Sequence, residues 1–145
     1  KFIIVGAKTK YTAYLISNIK LMSLEKNIIF LHNITDMELI NLYSNTKLFL
    51  FPSKYEGFGI PILEAISYKC KILLSDLKVF REITENKISY FDTFSCEDLT
   101  YHILNILSNK NKPYENYYLD KKILENFSCS NVSKKLIKIY KLCVA

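Results

Sequence analysis

Residues 48–65 read LFLFPSKYEGFGIPILEA, an apolar run followed by a loop with two glycines and by a second apolar segment that starts near a proline. The run from Leu48 to Phe51 has the length and continuous apolar character of a strand that is buried on both faces. Pro61 suits the first turn of a helix, because the amide that proline lacks would have no intrahelical partner there. We therefore predict a buried strand, a polar loop, and a helix that begins at Ile60 or Pro61.

Short apolar runs alternate with longer amphipathic segments along the rest of the chain. The residues Thr35 to Glu38 form a capping-box sequence, and Ser95 is a suitable cap for a later helix. Strands that alternate with helices pair in parallel and are covered by the helices. We predict further strands at residues 2–5, 28–31, 72–74 and 88–91, and helices at residues 12–24, 35–43, 79–84, 96–107, 117–126 and 130–142.

The composition is that of one globular domain. Half of the 145 residues are hydrophobic and 23% are charged, which excludes a disordered chain. No apolar run approaches the roughly 20 residues that a membrane-spanning helix needs. The four cysteines are widely spaced and form no C-x-x-C pair, so we expect neither a disulfide framework nor a metal site. Reduced thiols are typical of the cytoplasm, and we expect a cytoplasmic location.

The net charge of +6 implies attraction to an anion, which can be a nucleic acid, a membrane surface or a phosphorylated small molecule. Many lysines occur late in the chain, where helical spacing predicts a solvated face of the last helix. Such a face sometimes touches anionic lipid, so peripheral contact with the inner face of the membrane stays open. The late lysines are Lys121, Lys122, Lys134, Lys135, Lys138 and Lys141, of which the last four belong to the predicted last helix.

Residues 52–64 have the features of a ligand site. Open parallel sheets bind ligands at the carboxyl ends of their strands, and this segment follows such an end. Gly57 and Gly59 allow close approach of the backbone, and the positive end of the following helix attracts phosphate. Glu56 and Glu64 can accept hydrogen bonds from sugar hydroxyls. From the residues alone, the alternative is a plain turn in which Glu64 only stabilises the helix dipole.

The segments FPS (51–53), YEGFGIP (55–61) and LEA (63–65) resemble the Glu-x7-Glu signature of glycosyltransferase family four. The resemblance continues in family order at residues 3–6, 28–31, 36–43, 75–76, 82–83, 90–92 and 127–128 and at Tyr140. It implies an α/β fold: the Rossmann-like, doubly wound parallel sheet of the C-terminal domain of a GT-B glycosyltransferase. The donor-binding domain would occupy residues 1–145 and belong to a longer two-domain enzyme.

The resemblance also implies a role for each motif residue. Glu56 would contact the transferred sugar and is the catalytic candidate, whereas Glu64 would bind the ribose. Backbone amides after Glu56 would face the diphosphate, and the base would lie beside the loop before the capped helix. The implied donor-binding residues are Glu64, Gly57, Phe58, Gly59, Ile60, Ser53, Asn33 and Ile34. The family generally uses no metal or other cofactor, and GDP-mannose is favoured over a UDP-hexose as the donor.

Three parts of the family pattern are absent from this sequence: the first strand and helix of the domain, a basic Arg/Lys pair that neutralises the leaving diphosphate, and the acceptor-binding N-terminal domain. Because the first strand of a doubly wound sheet is central, its absence predicts a gap or an exposed edge in the sheet. Lys8, Lys10 and Lys54 are the basic candidates that remain. The chain alone is expected to bind a donor without efficient catalysis.

The expected function is that of a retaining glycosyltransferase, which moves a hexose to a glycan or lipid-linked acceptor in surface polysaccharide synthesis. The first alternative is a non-catalytic nucleotide-sugar-binding module or degenerate paralogue. A nucleic-acid-binding domain fits the charge and the eleven tyrosines, but the sequence has no such motif and nucleic acid is not an expected partner. A glycosidase that uses Glu56 and Glu64 is disfavoured, because its reaction does not require a phosphate-binding loop.

Overall fold

The computed structural model describes residues 1–108 and 119–144. Strands and helices alternate as far as the fifth strand, which confirms the predicted α/β organisation. The strands are β1 (Phe2–Val5), β2 (Ile28–Leu31), β3 (Phe49–Phe51), β4 (Ile72–Ser75) and β5 (Tyr90–Phe91). The helices are α1 (Lys10–Leu21), α2 (Asp36–Asn45), α3 (Ile60–Ser67), α4 (Lys78–Ile83), α5 (Cys96–Ser108) and α6 (Cys129–Val144), and a 3-10 helix spans Lys121–Phe127.

The predicted helix over residues 117–126 is wrong in type. Residues 117 and 118 lie outside the described residues, and the rest forms the 3-10 helix. The amide of Ile123 donates to the carbonyl of Asp120 at 3.0 Å, and the Asp120 carboxylate accepts from the amide of Lys122 at 2.9 Å. Over seven residues, helical spacing of apolar side chains does not distinguish an α-helix from the tighter 3-10 form.

Both predicted caps are confirmed. The Thr35 amide donates to Glu38 Oε2 at 2.7 Å, and the Glu38 amide donates to the Thr35 hydroxyl at 3.3 Å, as a capping box requires. At α5, the Asp98 amide donates to the Ser95 hydroxyl at 3.1 Å. These local bonds fix where α2 and α5 begin.

The chain forms two compact units, Lys1–Ile40 and Asn41–Ala145, and the boundary falls within α2. In the first unit β1 pairs in parallel with β2, and in the second β3, β4 and β5 form a parallel sheet in that order. Among the described residues no ladder joins the two sheets. Two side chains of β1 are exposed, by 48% at Phe2 and 44% at Val5. The predicted gap in the sheet stays a prediction.

The core of the second unit surrounds β4. All four residues of this strand, Ile72–Ser75, are buried, as expected for a parallel strand that is covered on both faces. Helices α3 and α4 and strand β5 supply the neighbouring buried side chains, which are Ile62, Ala65, Ile66, Phe80, Ile83 and Phe91. The carboxyl end of β4 therefore lies within the buried core of the second unit.

Candidate donor site

A chain of two hydrogen bonds ties Glu56 to the core. Ser75, fully buried at the carboxyl end of β4, donates its hydroxyl to the Ser53 carbonyl at 2.6 Å. The Ser53 hydroxyl in turn donates to Glu56 Oε1 at 2.8 Å. The structure thus places the predicted donor-binding residue Ser53 on the Glu56 carboxylate, and direct contact of Ser53 with a donor stays a prediction.

Glu64 is held by a different element. It lies in α3 and is half-buried, and the hydroxyl of Tyr43 in α2 donates to its Oε2 atom at 2.8 Å. The Tyr43 ring is buried and stacks on Tyr68 with 5.8 Å between the ring centroids and 2° between the planes. Nothing in the sequence pattern indicated Tyr43 as a site residue, because an aromatic residue in an amphipathic helix usually belongs to the core.

Each carboxylate retains capacity for a ligand. In the part of the chain that the structure describes, neither Glu56 nor Glu64 forms an ion pair, and each has one oxygen without a hydrogen-bond donor. A carboxylate offers about four acceptor positions on its two oxygens. Both residues can therefore accept further hydrogen bonds from hydroxyl groups.

The two motif glycines have different roles. Gly59 is the N-cap of α3 with φ of 114°, and a Cβ atom there would lie 2.9 Å from Ile62 Cδ1 and 3.2 Å from Phe80 Cε1. A side chain at this position would be strained in both backbone and packing. At Gly57 a Cβ atom would meet nothing within 4 Å. The fold thus requires glycine at position 59 and places no steric demand on position 57.

The backbone after Glu56 presents free donors. Among the described residues, the amides of residues 57–60 donate to no acceptor, whereas the Ile62 amide donates to the Gly59 carbonyl at 3.0 Å. Free amides at the amino end of a helix, together with its dipole, form an anion-binding site. Phe58 is anchored beside them, because its ring meets that of Phe127 edge-on at 5.4 Å. Ile60 is the first residue of α3 and is 63% exposed.

Of the remaining predicted residues, Ile34 is half-buried and the others are exposed. Lys54 is exposed, with its Nζ atom 5.6 Å from the centre of the exposed Phe94 ring. In the first unit, Asn33 and Ile34 connect the carboxyl end of β2 to α2, and Asn33 adopts a left-handed φ of 53°. Lys8 and Lys10 are exposed in the same unit. Contact of Asn33 and Ile34 with a base stays a prediction.

The structure also bears on metals and membranes. In residues 1–108 and 119–144, no group of three or more His, Cys, Asp or Glu side chains is placed to hold a metal ion. None of the described helices combines the length and the apolar character needed to cross a membrane.

Family membership follows from comparison with known proteins. Residues 1–120 match the model of the family described as Glycosyl transferases group 1. The chain belongs to this family. Membership of this family sets the glycosidase alternative aside.

Similar proteins include mannosyltransferases. The serotype-specific mannosyltransferase WbdA of Escherichia coli is 38% identical over 76 residues, which make up 52% of this chain and 9% of that protein. The O-antigen chain mannosyltransferase RfbU of Salmonella typhimurium is 36% identical over 88 residues, 61% of this chain and 25% of that protein. The chain thus spans a quarter or less of the length of these curated relatives.

The fold is shared with solved glycosyltransferases. HepE from Anabaena, crystallised in complex with UDP and glucose, superposes with a TM-score of 0.80 at 18% identity. The superposition covers 96% of this chain and 40% of that protein. The predicted fold class is confirmed: the parallel α/β structure is that of the C-terminal domain of GT-B glycosyltransferases, of which the chain covers part.

The difference between the glycines yields a test on the full-length protein. We expect Gly59→Ala to lower the free energy of unfolding by about 1 to 3 kcal/mol, because it adds backbone strain and a clash with Ile62. Gly57→Ala is the matched control and should change it by less than about 1 kcal/mol, since the added methyl group meets no neighbour. Urea denaturation measures both. Equal losses would contradict the assignment of position 59 as the strained one.

The reactivity of the Cys70 thiol depends on the packing around Tyr43. Its thiol is buried and donates to the Tyr43 carbonyl at 3.1 Å, and burial raises the pKa of this thiol from near 9 to about 11. The fold is therefore stabilised by the neutral thiol below pH 9, and this contribution is lost as the pH rises through 11.

At pH 8 we expect iodoacetamide to alkylate the exposed Cys96, Cys129 and Cys143 before Cys70, because only the thiolate reacts and Cys70 is shielded. Peptide mapping by mass spectrometry measures each site. Labelling of Cys70 as fast as the exposed thiols would show that reagent and solvent reach the buried thiol next to Tyr43. A urea-denatured sample, in which all four should react, is the control.

Proposed function

We propose that the chain is the donor-binding part of a retaining glycosyltransferase, which transfers a hexose from a nucleotide sugar to a glycan or lipid-linked acceptor in surface polysaccharide synthesis. The observation that carries the proposal is the segment from Glu56 to Glu64. It has a carboxylate with spare acceptor capacity at each end and unpaired amides in between. The acceptor would be held by an N-terminal domain.

The parts of this segment match the parts of a nucleotide sugar. The amides of residues 57–60 would bind the diphosphate at the amino end of α3, so that its charge is met without a metal ion or other cofactor. Lys54, which is exposed in the same loop, would add a positive charge. Glu64 would accept hydrogen bonds from the ribose, and Glu56 from the transferred sugar, with Asn33 and Ile34 beside the base.

GDP-mannose is the proposed donor, with a UDP-hexose as the alternative. The named relatives are mannosyltransferases, which favours mannose. The complex of HepE with UDP and glucose supports the wider class of nucleotide-sugar donors, since it has the same fold. A non-catalytic nucleotide-sugar-binding module is the second candidate, because the described site shows groups for binding a donor and does not itself show transfer. Turnover in the full-length protein distinguishes the two.

The two glutamates should affect binding and turnover differently. Glu64→Gln should weaken GDP and GDP-mannose alike, by about 10- to 150-fold, because both contain the ribose and a charge-assisted hydrogen bond contributes about 1.5 to 3 kcal/mol. Glu56→Gln should leave GDP affinity nearly unchanged and lower turnover, because its partner is the sugar whose charge changes in the transition state.

Calorimetry with both ligands, and turnover in the full-length protein, make this comparison. UDP and UDP-hexoses replace the guanine ligands if the wild-type protein selects them. Equal losses of nucleotide affinity from the two substitutions would show that the proposed division between ribose and sugar is wrong. Binding of nucleotide sugar without any turnover would favour the non-catalytic module.

We further propose that α6 contacts the inner face of the membrane, where a lipid-linked acceptor would be found. The predicted solvated lysine face is confirmed, because Lys134, Lys135, Lys138 and Lys141 are all exposed. The opposite face carries exposed apolar side chains at helical spacing, which are Val132, Leu136, Ile139 and Tyr140. A helix with an apolar face and a lysine-rich polar face is typical of those that lie in the membrane interface.

Replacing the four lysines of α6 by glutamine should lower binding to vesicles of phosphatidylcholine with phosphatidylglycerol. Each basic residue near an anionic surface contributes about 1 kcal/mol, so that the expected loss is several hundredfold, about 4 kcal/mol. The matched control replaces four exposed lysines elsewhere with the same change of charge: Lys20, Lys26, Lys47 and Lys78. Equal losses in the two variants, or no preference for anionic vesicles, would contradict the proposal.

A further inference from the structure

The hydrogen bond between Tyr43 and Glu64 lies outside the Glu-x7-Glu motif and has no role in the proposed function as stated so far. It joins two helices, because Tyr43 belongs to α2 and Glu64 to α3.

Tyr43 is held rigidly in place. Its ring stacks on Tyr68 in a parallel arrangement and packs against Phe49 of β3, with 5.6 Å between those ring centroids. Its backbone carbonyl accepts from the buried Cys70 thiol. With both its ring and its backbone fixed, the Tyr43 hydroxyl has little freedom to leave Glu64.

The direction of the bond is also fixed. Burial raises the pKa of Tyr43 well above its ordinary value of 10, and the bond to Glu64 raises it further. The phenol therefore stays protonated at any physiological pH. Because an ionised carboxylate only accepts, Tyr43 donates to Oε2. The Oε1 atom of Glu64 has no donor among the described residues and remains for another hydroxyl.

We propose that Tyr43 is a positioning residue for donor binding, whose hydroxyl holds Glu64 Oε2 so that Oε1 accepts a hydrogen bond from the ribose. The proposal rests on the proposed role of Glu64 and adds how its carboxylate is oriented. Groups that are held in the bound orientation before the ligand arrives lose less conformational freedom on binding. Without the phenol, the Glu64 side chain would be free to rotate, and recognition of the ribose would weaken.

The decisive quantity is discrimination between ribose and its deoxy analogues. We define the ribose ratio as the Kd of the 2′,3′-dideoxynucleoside diphosphate divided by the Kd of the ribonucleoside diphosphate, measured by calorimetry on the full-length protein. GDP and dideoxy-GDP are the probes, or UDP and dideoxy-UDP if the wild type binds only uridine nucleotides. In the wild type the ratio should exceed about tenfold, because Glu64 loses its partner in the dideoxy compound.

Tyr43→Phe should reduce the ribose ratio about three- to tenfold, which corresponds to the loss of one hydrogen bond. Tyr68→Phe is the matched control, because it removes a hydroxyl from the stacked ring and leaves the bond to Glu64 intact. In the Glu64→Gln background, Tyr43→Phe should have no further effect on the ratio. A merely structural role would lower the melting temperature without changing the ratio.

The possible failures are distinguishable. If the wild type binds neither GDP nor UDP, the proposed function is wrong. If it binds one of them with a high ribose ratio and Tyr43→Phe keeps that ratio, only the role of Tyr43 is overturned.

A measurement on the wild type covers the case in which Tyr43→Phe does not fold. In protein labelled with ¹³Cζ-tyrosine, the Tyr43 resonance should shift on addition of the ribonucleotide and not of the dideoxy analogue. Only the ribose has hydroxyls that can bond to the Glu64 carboxylate to which Tyr43 donates. Identical shifts with both nucleotides would overturn the role of Tyr43.

Discussion

The burial of Ser75 at the carboxyl end of β4 is the constraint on which the arrangement of the site depends. Strand β4 is covered on both faces, so its last side chain is enclosed although it carries a hydroxyl. A buried hydroxyl without a partner is costly, and the Ser53 carbonyl satisfies this one. The bond fixes the start of the loop after β3. Ser53 then binds Glu56, so the position of the catalytic candidate follows from the packing of the strand.

The amino end of α3 depends on packing in a similar way. Gly59 lies against Ile62 and Phe80 and adopts a backbone conformation that other residues rarely tolerate. This conformation starts the helix abruptly, and the amides just before it are left without acceptors. Gly57 carries one of these amides, and nothing in the packing requires glycine there. The fold thus supplies donors for an anion as a consequence of how the helix begins.

Much of this could be predicted from residues 48–65 alone. The apolar run of β3 and the proline at the start of α3 are local signals, which the structure confirms. Tyr43 and Ser75 could not be found in this way, because their roles come from contacts 21 and 22 residues away in the chain. The 3-10 helix was predicted as an α-helix for a different reason, because apolar spacing over seven residues fits both forms.

The central claim is that the segment from Glu56 to Glu64 binds a nucleotide sugar. The most direct test is a crystal structure of the full-length protein with GDP-mannose, or with a UDP-hexose if that is the ligand bound in solution. We expect a ribose hydroxyl within about 3 Å of Glu64 Oε1, diphosphate oxygens on the amides of residues 57–60, and a sugar hydroxyl on Glu56. A nucleotide sugar bound elsewhere, with both carboxylates and these amides free of it, would contradict the claim.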